Sequence, residues 1–372
     1  MKIEPFALER FFAEHEFGAR HLLCASDCET FAVKELLALE PGAEKAFAAL
    51  RLGYTETAGH PDLRAGIAAL YSGIAADDVL VFSGAEEAIF LFMHAVLRAG
   101  DHVIVPSPCY QSLEAVAVAA GCRVSRWETS AASGWQPDIE HLRRDIVPAT
   151  RAVVVNFPHN PSGHLPSAER FAQVVDVARD KRLLLFSDEV YRFLEYDAGA
   201  RLPAACEVYE NGVSLGVMSK AFGLAGLRLG WVACRNRSVL RAMAELKDYT
   251  TICAAAPSEF LARLALRHRD RILARNLDII RRNLQCLDDF FSRHGRLFSW
   301  HRPQAGPIAF PAVRFAESSD GFCANLLQEH GVLLAPGRLF GAAPEHFRLG
   351  FGRVDFGRGL EVVSEHVARK FD

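Results

Sequence analysis

Short apolar runs alternate with longer helical stretches between about residue 60 and residue 235, and this alternation constrains the fold of the chain most strongly. Strands separated by helices pair in parallel and place those helices on both faces of their sheet. The helical stretches are residues 85–98, 111–120 and 167–180. The apolar runs carry little charge, which is typical of strands covered on both faces. They are residues 79–82, 102–105, 152–155, 183–186, 213–217 and 229–233. The sequence therefore predicts an α/β fold with a mostly parallel central sheet flanked by helices.

The last third of the chain has a different character. Residues 237–293 are rich in Leu, Ala and Arg with few turn residues, which predicts long helices. Shorter strand candidates follow at residues 307–315 and 347–351. We therefore expect a second, smaller α+β domain that also takes in the beginning of the chain. The expected division is a large domain at 45–250 and a small domain at 1–44 with 251–372.

Composition excludes several classes of protein. Of the 372 residues 50% are hydrophobic and 23% charged, as in ordinary globular proteins, and the formal net charge is only -3. A chain with so small a net charge has no overall electrostatic attraction to nucleic acid or to an anionic membrane, so we expect neither as a partner. The nine cysteines are scattered without a CxxC pair, and no Cys/His pair completes a metal site. With no signal-peptide pattern and no long apolar run, we expect a cytoplasmic protein that holds no metal.

Distinctive side chains follow five of the predicted strands. In open α/β sheets, ligands bind outside the carboxyl ends of the strands, so these residues are candidates for one site. They are the small-residue turn at 83–86, the ring of Tyr110, the amide of Asn160, Asp188 with Tyr191, and Lys220 with Arg228.

These groups together match the needs of one cofactor. A phosphorylated aldehyde with a pyridine ring requires a stacking surface, a hydrogen-bond donor to its phenolate, an anion near its ring nitrogen and an amine for a Schiff base. Its phosphate requires a cation and a helix N-terminus, where free N–H groups and the helix dipole favour anions. Pyridoxal 5'-phosphate fits every requirement.

Residues 54–353 resemble the fold-type I, class I/II aminotransferases in the type, order and spacing of their motifs. Residues 219–230, SKAFGLAGLRLG, are similar to the family's signature around its Schiff-base lysine. Residues 160–163, NPSG, and 188–191, DEVY, are similar to two further family motifs. The resemblance implies a fold-type I architecture and pyridoxal phosphate as the cofactor.

The resemblance also implies roles at the cofactor ring. Lys220 would form the internal aldimine and, once displaced by substrate, shuttle the proton at the substrate Cα. Asp188 would pair with the pyridinium nitrogen. Asn160 and Tyr191 would hydrogen-bond the phenolate oxygen, with Asn160 also beside the substrate. Tyr110 would stack on the ring.

Further roles follow for the phosphate and the substrate. Tyr54 matches a tyrosine that reaches the phosphate of a neighbouring subunit, which implies a homodimer. Arg348, in the FRLG sequence at 347–350, matches the arginine that clamps the substrate α-carboxylate as a fork. The residues expected at the phosphate of the same chain are Gly84, Ala85, Glu86, Ser219 and Arg228.

Two positions depart from the family pattern. Val217 stands where relatives often have a Ser or Thr that contacts the phosphate, so one hydroxyl donor is missing. Glu86 stands where a Ser or Thr often lines the phosphate cup, and its carboxylate must point away from a dianion. These departures bear on how tightly the phosphate is held.

Transamination from an L-amino acid to a 2-oxo acid is the commonest reaction of the family and requires the least of the site. The N-terminal block, however, is similar to the capreomycidine synthase branch, which cyclises a hydroxylated arginine. As an alternative, the chain would be a cyclase or lyase that acts on a modified basic amino acid. Asp27 or Glu29 would then bind the cationic side chain of that substrate.

Two alternatives come from outside this chemistry. Residues 212–216, GVSLG, fit the G-x-S-x-G motif of serine hydrolases, with Ser214 as the nucleophile. That motif requires a helix directly after the serine, whereas the apolar run here continues, so we expect Ser214 inside a strand. Related domains also occur in transcription regulators, but the segment before Tyr54 has no basic arm.

Overall fold

The computed structural model describes residues 2–341 and 344–371. Its helices are α1 Ala7–His15, α2 Val33–Leu37, α3 Ala43–Ala48, α4 Pro61–Ala68, α5 Ala85–Ala95, α6 Ser112–Ala119, α7 Ile139–Asp145, α8 Ala168–Asp180, α9 Ala205–Val208, α10 Arg237–Lys247, α11 Ala256–Arg267, α12 Arg269–Arg293, α13 Ser319–His330 and α14 Phe356–Phe371. Its strands are β1 His21–Leu22, β2 Val79–Phe82, β3 His102–Ser107, β4 Arg123–Glu128, β5 Thr150–Asn156, β6 Leu184–Asp188, β7 Gly212–Val217, β8 Gly230–Cys234, β9 Phe298–Ser299, β10 Ile308–Ala309, β11 Ala312–Val313, β12 Val332–Leu333, β13 Ala335–Pro336 and β14 Phe347–Gly350.

Seven strands form the central sheet in the order β2-β8-β7-β6-β5-β3-β4. The five strands from β7 to β4 pair in parallel, and β8 is antiparallel to both of its neighbours. All six predicted runs are strands of this sheet. The prediction of a mostly parallel α/β sheet is therefore confirmed.

The strand that the sequence did not reveal is β4, at the edge of the sheet. Its sequence, RVSRWE, is largely exposed except at Trp127, whereas β2, β3 and β7 are buried throughout. An edge strand has one strand edge exposed to solvent and tolerates charged side chains. A pattern of uncharged apolar residues therefore does not identify it.

The predicted helices are present and cover the sheet with an apolar stripe. Helix α8 buries Phe171, Val174, Val175 and Ala178, and the Ser167 hydroxyl caps its first turn by accepting a hydrogen bond from Arg170 N at 3.2 Å. The predicted long helices after residue 237 are α10, α11 and the 25-residue α12.

The last third forms small sheets of short strands, as an α+β composition predicts. Strand β14 lies between β10 and β13, and β9 pairs with β11. The beginning of the chain joins this part, because β1 pairs in parallel with β12. Leu8 and Cys24 also share a hydrophobic cluster with Phe310 and Leu333. The predicted small domain requires this association, and its boundaries near residues 45 and 250 stay a prediction.

Within the described residues, none of the helices combines the length and the apolar character that crossing a membrane requires. The nine cysteines are all free thiols.

Candidate active site

A cavity of about 370 Å³ opens at the carboxyl ends of the central strands. Asp188 is the last residue of β6, and Lys220 follows the end of β7. Helix α1 and the segment at residues 25–27 close the cavity from the other side. The structure thus brings the following predicted residues to one space: Ala85, Glu86, Tyr110, Asn160, Asp188, Tyr191, Ser219, Lys220, Arg228 and Asp27.

The amine of Lys220 lies among groups that fix its position. Its Nζ donates a hydrogen bond to Ser26 Oγ at 2.8 Å and lies 6.0 Å from the centre of the Tyr191 ring. Burial lowers the pKa of this amine, and the Asp27 carboxylate only partly offsets that effect. A lowered pKa increases the neutral, nucleophilic fraction of a lysine at a given pH.

Asp188 is buried at the end of β6 and is held by backbone groups. Its Oδ1 accepts a hydrogen bond from Val190 N at 3.2 Å, and its own carbonyl accepts one from Asn156 Nδ2 at 3.0 Å. Burial raises the pKa of the Asp188 carboxyl from its ordinary value of 3.8 to about 7. A cation next to this group would restore its ionised form, so the site suits a protonated ring nitrogen.

Asn160 and Tyr191 supply donors on the same side of the cavity. The backbone N–H of Asn160 donates to Asn156 Oδ1 at 2.7 Å, and its Oδ1 accepts from Arg348 Nη1 at 3.2 Å. Its Nδ2 amino group is the part of the amide left to serve a ligand. Tyr191 Oη is buried without a hydrogen bond within the described residues, and burial raises its pKa while the positive charge of Arg348 opposes the rise.

The first turn of α5 and Arg228 form an anion site at another end of the cavity. Gly84 precedes the helix with φ 94°, and a Cβ there would lie 2.8 Å from Arg228 Nη2. Only glycine allows this backbone shape together with the close approach of the guanidinium. Free N–H groups, a helix dipole and a cation therefore converge where a phosphate can bind.

The two departures from the family pattern both lie at this end. The Glu86 carboxylate accepts a hydrogen bond from Ser112 Oγ, on the next helix, and burial raises its pKa. The rise in pKa favours the neutral carboxyl and so reduces its repulsion of a phosphate, whereas the Ser112 hydrogen bond opposes that rise. Val217 is buried in the wall and brings no hydroxyl.

Tyr110 is half-buried beside α1. Its ring centre lies 5.0 Å from that of Phe6, at 55°, and its Oη donates to Glu9 Oε1 at 3.4 Å. The N-terminal segment thus orients the ring that was expected to stack on the cofactor.

Arg348 lies just behind the cavity wall. Its side chain is 1% exposed, and its Nη2 donates to Cys24 O at 2.9 Å while its Nε has no partner within the described residues. The Phe12 and Phe340 rings flank the guanidinium at 5.9 and 4.8 Å. Burial lowers its pKa. A buried guanidinium with an unused donor fits a carboxylate ligand.

Of the two acids expected to receive a cation, only Asp27 reaches the cavity. Both of its oxygens accept from Arg353 Nη2 at 2.9 Å, so it already has a cationic partner. Glu29 instead accepts from Val354 N at 2.9 Å and is absent from the cavity lining.

The sequence analysis missed several residues. Asn156 ends β5 and positions both Asp188 and Asn160, and its place at a strand end was the available signal. Glu9, Glu16 and Ser26 come from the N-terminal segment, where no local pattern distinguishes them from surface residues.

Two predicted residues lie elsewhere. Tyr54 is 91% exposed and is absent from the cavity lining of its own chain, so its contact with a phosphate in a neighbouring subunit stays a prediction. Ser214 lies inside β7, as expected, where it donates to Glu189 Oε1 at 2.8 Å. A fully buried serine in mid-strand excludes the serine hydrolase alternative.

Pyridoxal phosphate fits these residues. The unpartnered Tyr191 Oη, the acid at Asp188, the amine of Lys220 and the anion site beside Gly84 supply the donors and charges that the cofactor requires. The fold and the site define a fold-type I pyridoxal-phosphate enzyme.

The family assignment follows from comparison with known proteins. The profile of the family "Aminotransferase class I and II" matches residues 22–355, and the chain belongs to this family. Its cofactor is therefore pyridoxal 5'-phosphate. The chain is 31% identical to capreomycidine synthase of Streptomyces vinaceus, over 97% of this chain and 93% of that protein. It is 29% identical to aspartate aminotransferase of Thermotoga maritima, over 89% and 86%.

Solved structures show the same two kinds of relative. A PLP-dependent aminotransferase from Streptococcus suis superposes with a TM-score of 0.94 at 32% identity, covering 100% of this chain and 99% of the other. The PLP-dependent cyclase OrfR gives 0.90 at 31%, covering 100% and 98%. The family is thus established, while its members named here differ in the reaction they catalyse.

Proposed function

We propose that the chain is an aminotransferase that moves the amino group of an L-amino acid to a 2-oxo acid. The observation that carries the proposal is the buried Lys220 amine, which shares one cavity with the Asp188 carboxyl. When bound, pyridoxal phosphate supplies an aldehyde carbon and a ring that takes up electron density from the substrate Cα.

Lys220 performs the proton transfer in this proposal. Its Nζ would hold the cofactor in the resting enzyme and, once the substrate amine has displaced it, would remove the proton from the substrate Cα. Burial favours this step because it lowers the pKa of the amine. The Ser26 hydroxyl, at 2.8 Å, holds Nζ in place.

The neighbouring residues orient the cofactor and tune its charge. Ionised Asp188 would keep the ring nitrogen protonated, and Tyr191 Oη and Asn160 Nδ2 would donate hydrogen bonds to the phenolate oxygen. The first turn of α5, Ser219 and Arg228 would hold the phosphate, and the Tyr110 ring would lie against the cofactor ring. This arrangement would hold the substrate with its Cα–H bond in the orientation that cleavage requires.

Arg348 binds the substrate α-carboxylate in the proposal. Asn160 bonds to Arg348 and, in the proposal, also to the cofactor ring. The substrate carboxylate and the cofactor would therefore keep a fixed position relative to each other. The Phe12 ring, which lines the cavity and flanks the guanidinium, keeps water from the pair.

Product analysis tests the proposal. The purified enzyme is incubated with single L-amino acids and a 2-oxo acid, and both products are quantified. Equal amounts of the new 2-oxo acid and the new amino acid support transamination. A product formed in full without any 2-oxo acid contradicts it.

A specific observation favours a second candidate, a cyclase or lyase that acts on a basic amino acid. Glu9, Glu16 and Asp27 all line the cavity. Burial raises the pKa of Glu16, the charges of Asp27 and Glu9 raise it further, and those of Arg353 and Lys220 oppose the rise. A cationic substrate side chain would relieve the repulsion among the three carboxylates. Capreomycidine synthase and the cyclase OrfR are among the chain's relatives.

Glu16 allows a direct test of the second candidate. It has no hydrogen-bond or ion-pair partner of its own within the described residues, so Glu16→Gln should leave the fold intact. We expect the KM for a basic amino acid to rise about 2- to 10-fold while that for a neutral one stays constant. Glu14→Gln, at an exposed acid in α1 two residues before Glu16, is the matched control. Equal effects on basic and neutral substrates contradict the assignment.

We also propose that the chain is a homodimer in the cytoplasm. Leu52, Tyr54 and Tyr249 are large apolar residues with at least 81% exposure. Thr55 Oγ1 donates to Ala254 O at 3.0 Å and so links the two segments that carry them. Exposed apolar groups gathered in this way are typical of a subunit interface.

A further inference from the structure

A second cluster of ionisable side chains lies far from the cavity in sequence, where α13 meets α14. Glu329 and His330 end α13, and His366 belongs to α14. His330 Nε2 lies 3.2 Å from His366 Nδ1, and Glu329 Oε2 lies 3.5 Å from each of these nitrogens. Three metal-binding atoms thus form a nearly regular triangle.

This triangle has the dimensions of a metal site. A tetrahedral Zn²⁺ with bonds of about 2.0–2.1 Å places its ligand atoms about 3.3 Å apart. The observed separations of 3.2, 3.5 and 3.5 Å approach that value without any movement of the helices. Two imidazoles and one carboxylate are also a ligand set that late first-row divalent cations favour.

Without such an ion, the single lone pair of His330 Nε2 is shared between two neighbouring nitrogens. Arg369 Nη2 lies 3.0 Å from His330 Nε2 and can only donate, so this nitrogen must present its lone pair. The same lone pair also faces His366 Nδ1. A bound cation would accept both imidazole lone pairs at once.

The carbonyl end of α13 adds the negative end of a helix dipole at this point. Arg369 now places positive charge 3.1 Å from Glu329 Oε2, so a metal ion must displace it. The Arg369 side chain is 64% exposed and can withdraw into solvent. The His366 ring is buried and packs edge-on against His330, which fixes the direction of its Nδ1.

We propose that Glu329, His330 and His366 bind one Zn²⁺ or similar late first-row divalent cation, with solvent completing its coordination. The ion would join the end of α13 to α14. Gly331, the next residue, accepts backbone hydrogen bonds from Arg20 and His21, so the ion would also secure the junction with β1. The sequence analysis expected no metal because it found no Cys/His pair that completes a site, and His366 lies 36 positions after His330.

Calorimetric titration of the full-length holoenzyme with Zn²⁺, after chelator treatment and desalting, tests the proposal. We expect one ion per chain and a higher Tm with Zn²⁺ than without. His330→Ala and Glu329→Gln should each weaken binding by at least about tenfold, the cost of losing even an outer partner of a metal ligand. Both positions reach solvent, so these variants should fold.

Two further variants make the test specific. His141→Ala is the matched control, because His141 is 22% exposed like His330 and lies 3.2 Å from the Asp145 carboxylate. It should bind Zn²⁺ as the wild type does. Arg369→Gln removes the competing cation and should strengthen binding about two- to fivefold. The proposal is overturned if the wild type shows no saturable binding, or if His330→Ala binds Zn²⁺ as tightly as the wild type.

Discussion

Arg348 Nη1 donates a hydrogen bond to Asn160 Oδ1 at 3.2 Å, across 188 positions of sequence. Arg348 belongs to β14 in the C-terminal part, and Asn160 follows β5 of the central sheet. This bond joins the proposed substrate clamp to the proposed cofactor amide. The position of the substrate relative to the ring therefore depends on both parts of the chain.

Replacing Arg348 should weaken substrate binding. In Arg348→Gln the fork that binds the α-carboxylate is lost, and a hydrogen bond to a charged group contributes about 1.5–3 kcal/mol. We expect KM to rise about 10- to 100-fold, with the cofactor still bound. Steady-state kinetics measures the change, and Arg314→Gln, at an exposed arginine, is the control. An unchanged KM would remove Arg348 from the substrate site.

Asp188 should make the stability of the cofactor-free protein depend on pH. Its carboxyl titrates near 3.8 when unfolded and near 7 when folded. Between these values the folded chain binds more protons, so the free energy of unfolding falls as the pH rises from about 4 to about 7. The fall attributable to this group is about 3–4 kcal/mol at most.

Urea unfolding of wild type and Asp188→Asn at several pH values measures this contribution. The difference between the two proteins isolates Asp188 from other titrating groups. We expect the stability of the wild type to fall more steeply between pH 4 and 7 than that of Asp188→Asn. Parallel pH profiles would show that the folded Asp188 carboxyl keeps its ordinary pKa.

Gly84→Ala should weaken cofactor binding by disturbing the anion site. The new Cβ would lie 2.8 Å from Arg228 Nη2, at a backbone φ of 94° that costs a residue other than glycine about 1–3 kcal/mol. We expect cofactor affinity, measured by equilibrium dialysis, to fall about tenfold. Gly226→Ala is the control, because a Cβ there meets nothing within 4 Å. If the two variants bind the cofactor with equal affinity, Gly84 does not contribute to the phosphate site.

Tyr54→Phe should lower cofactor affinity without changing the stability of the chain. The phenol is exposed in its own subunit, and in the proposed dimer it donates to the neighbour's phosphate, a bond that changes affinity about tenfold. Tyr249→Phe, at a tyrosine with 88% exposure, is the matched control. Light scattering should give twice the 41.0 kDa of one chain. A fully active monomer would contradict this role for Tyr54.

The elements that build the catalytic edge could be predicted because their signals are local. The buried parts of β5, at residues 152–155, and of β7 are uncharged runs, and the residues that follow these strands are unusual in type. Strand β4 could not be predicted in this way, since its exposed face accepts charge. Glu16 and Ser26 lie on either side of β1, whose pairing with β12 is a contact between distant parts of the chain that no local pattern reveals.

Reduction with borohydride tests the central claim most directly, that the Lys220 amine holds the cofactor. The holoenzyme is treated with borohydride and digested, and the peptides are analysed by mass spectrometry. We predict that the peptide containing Lys220 carries the reduced cofactor and that Lys220→Ala yields no labelled peptide. Ser26→Ala, which removes only the hydrogen bond on Nζ, should still be labelled. Labelling at another lysine, or none in a wild-type protein that binds the cofactor, would contradict the account.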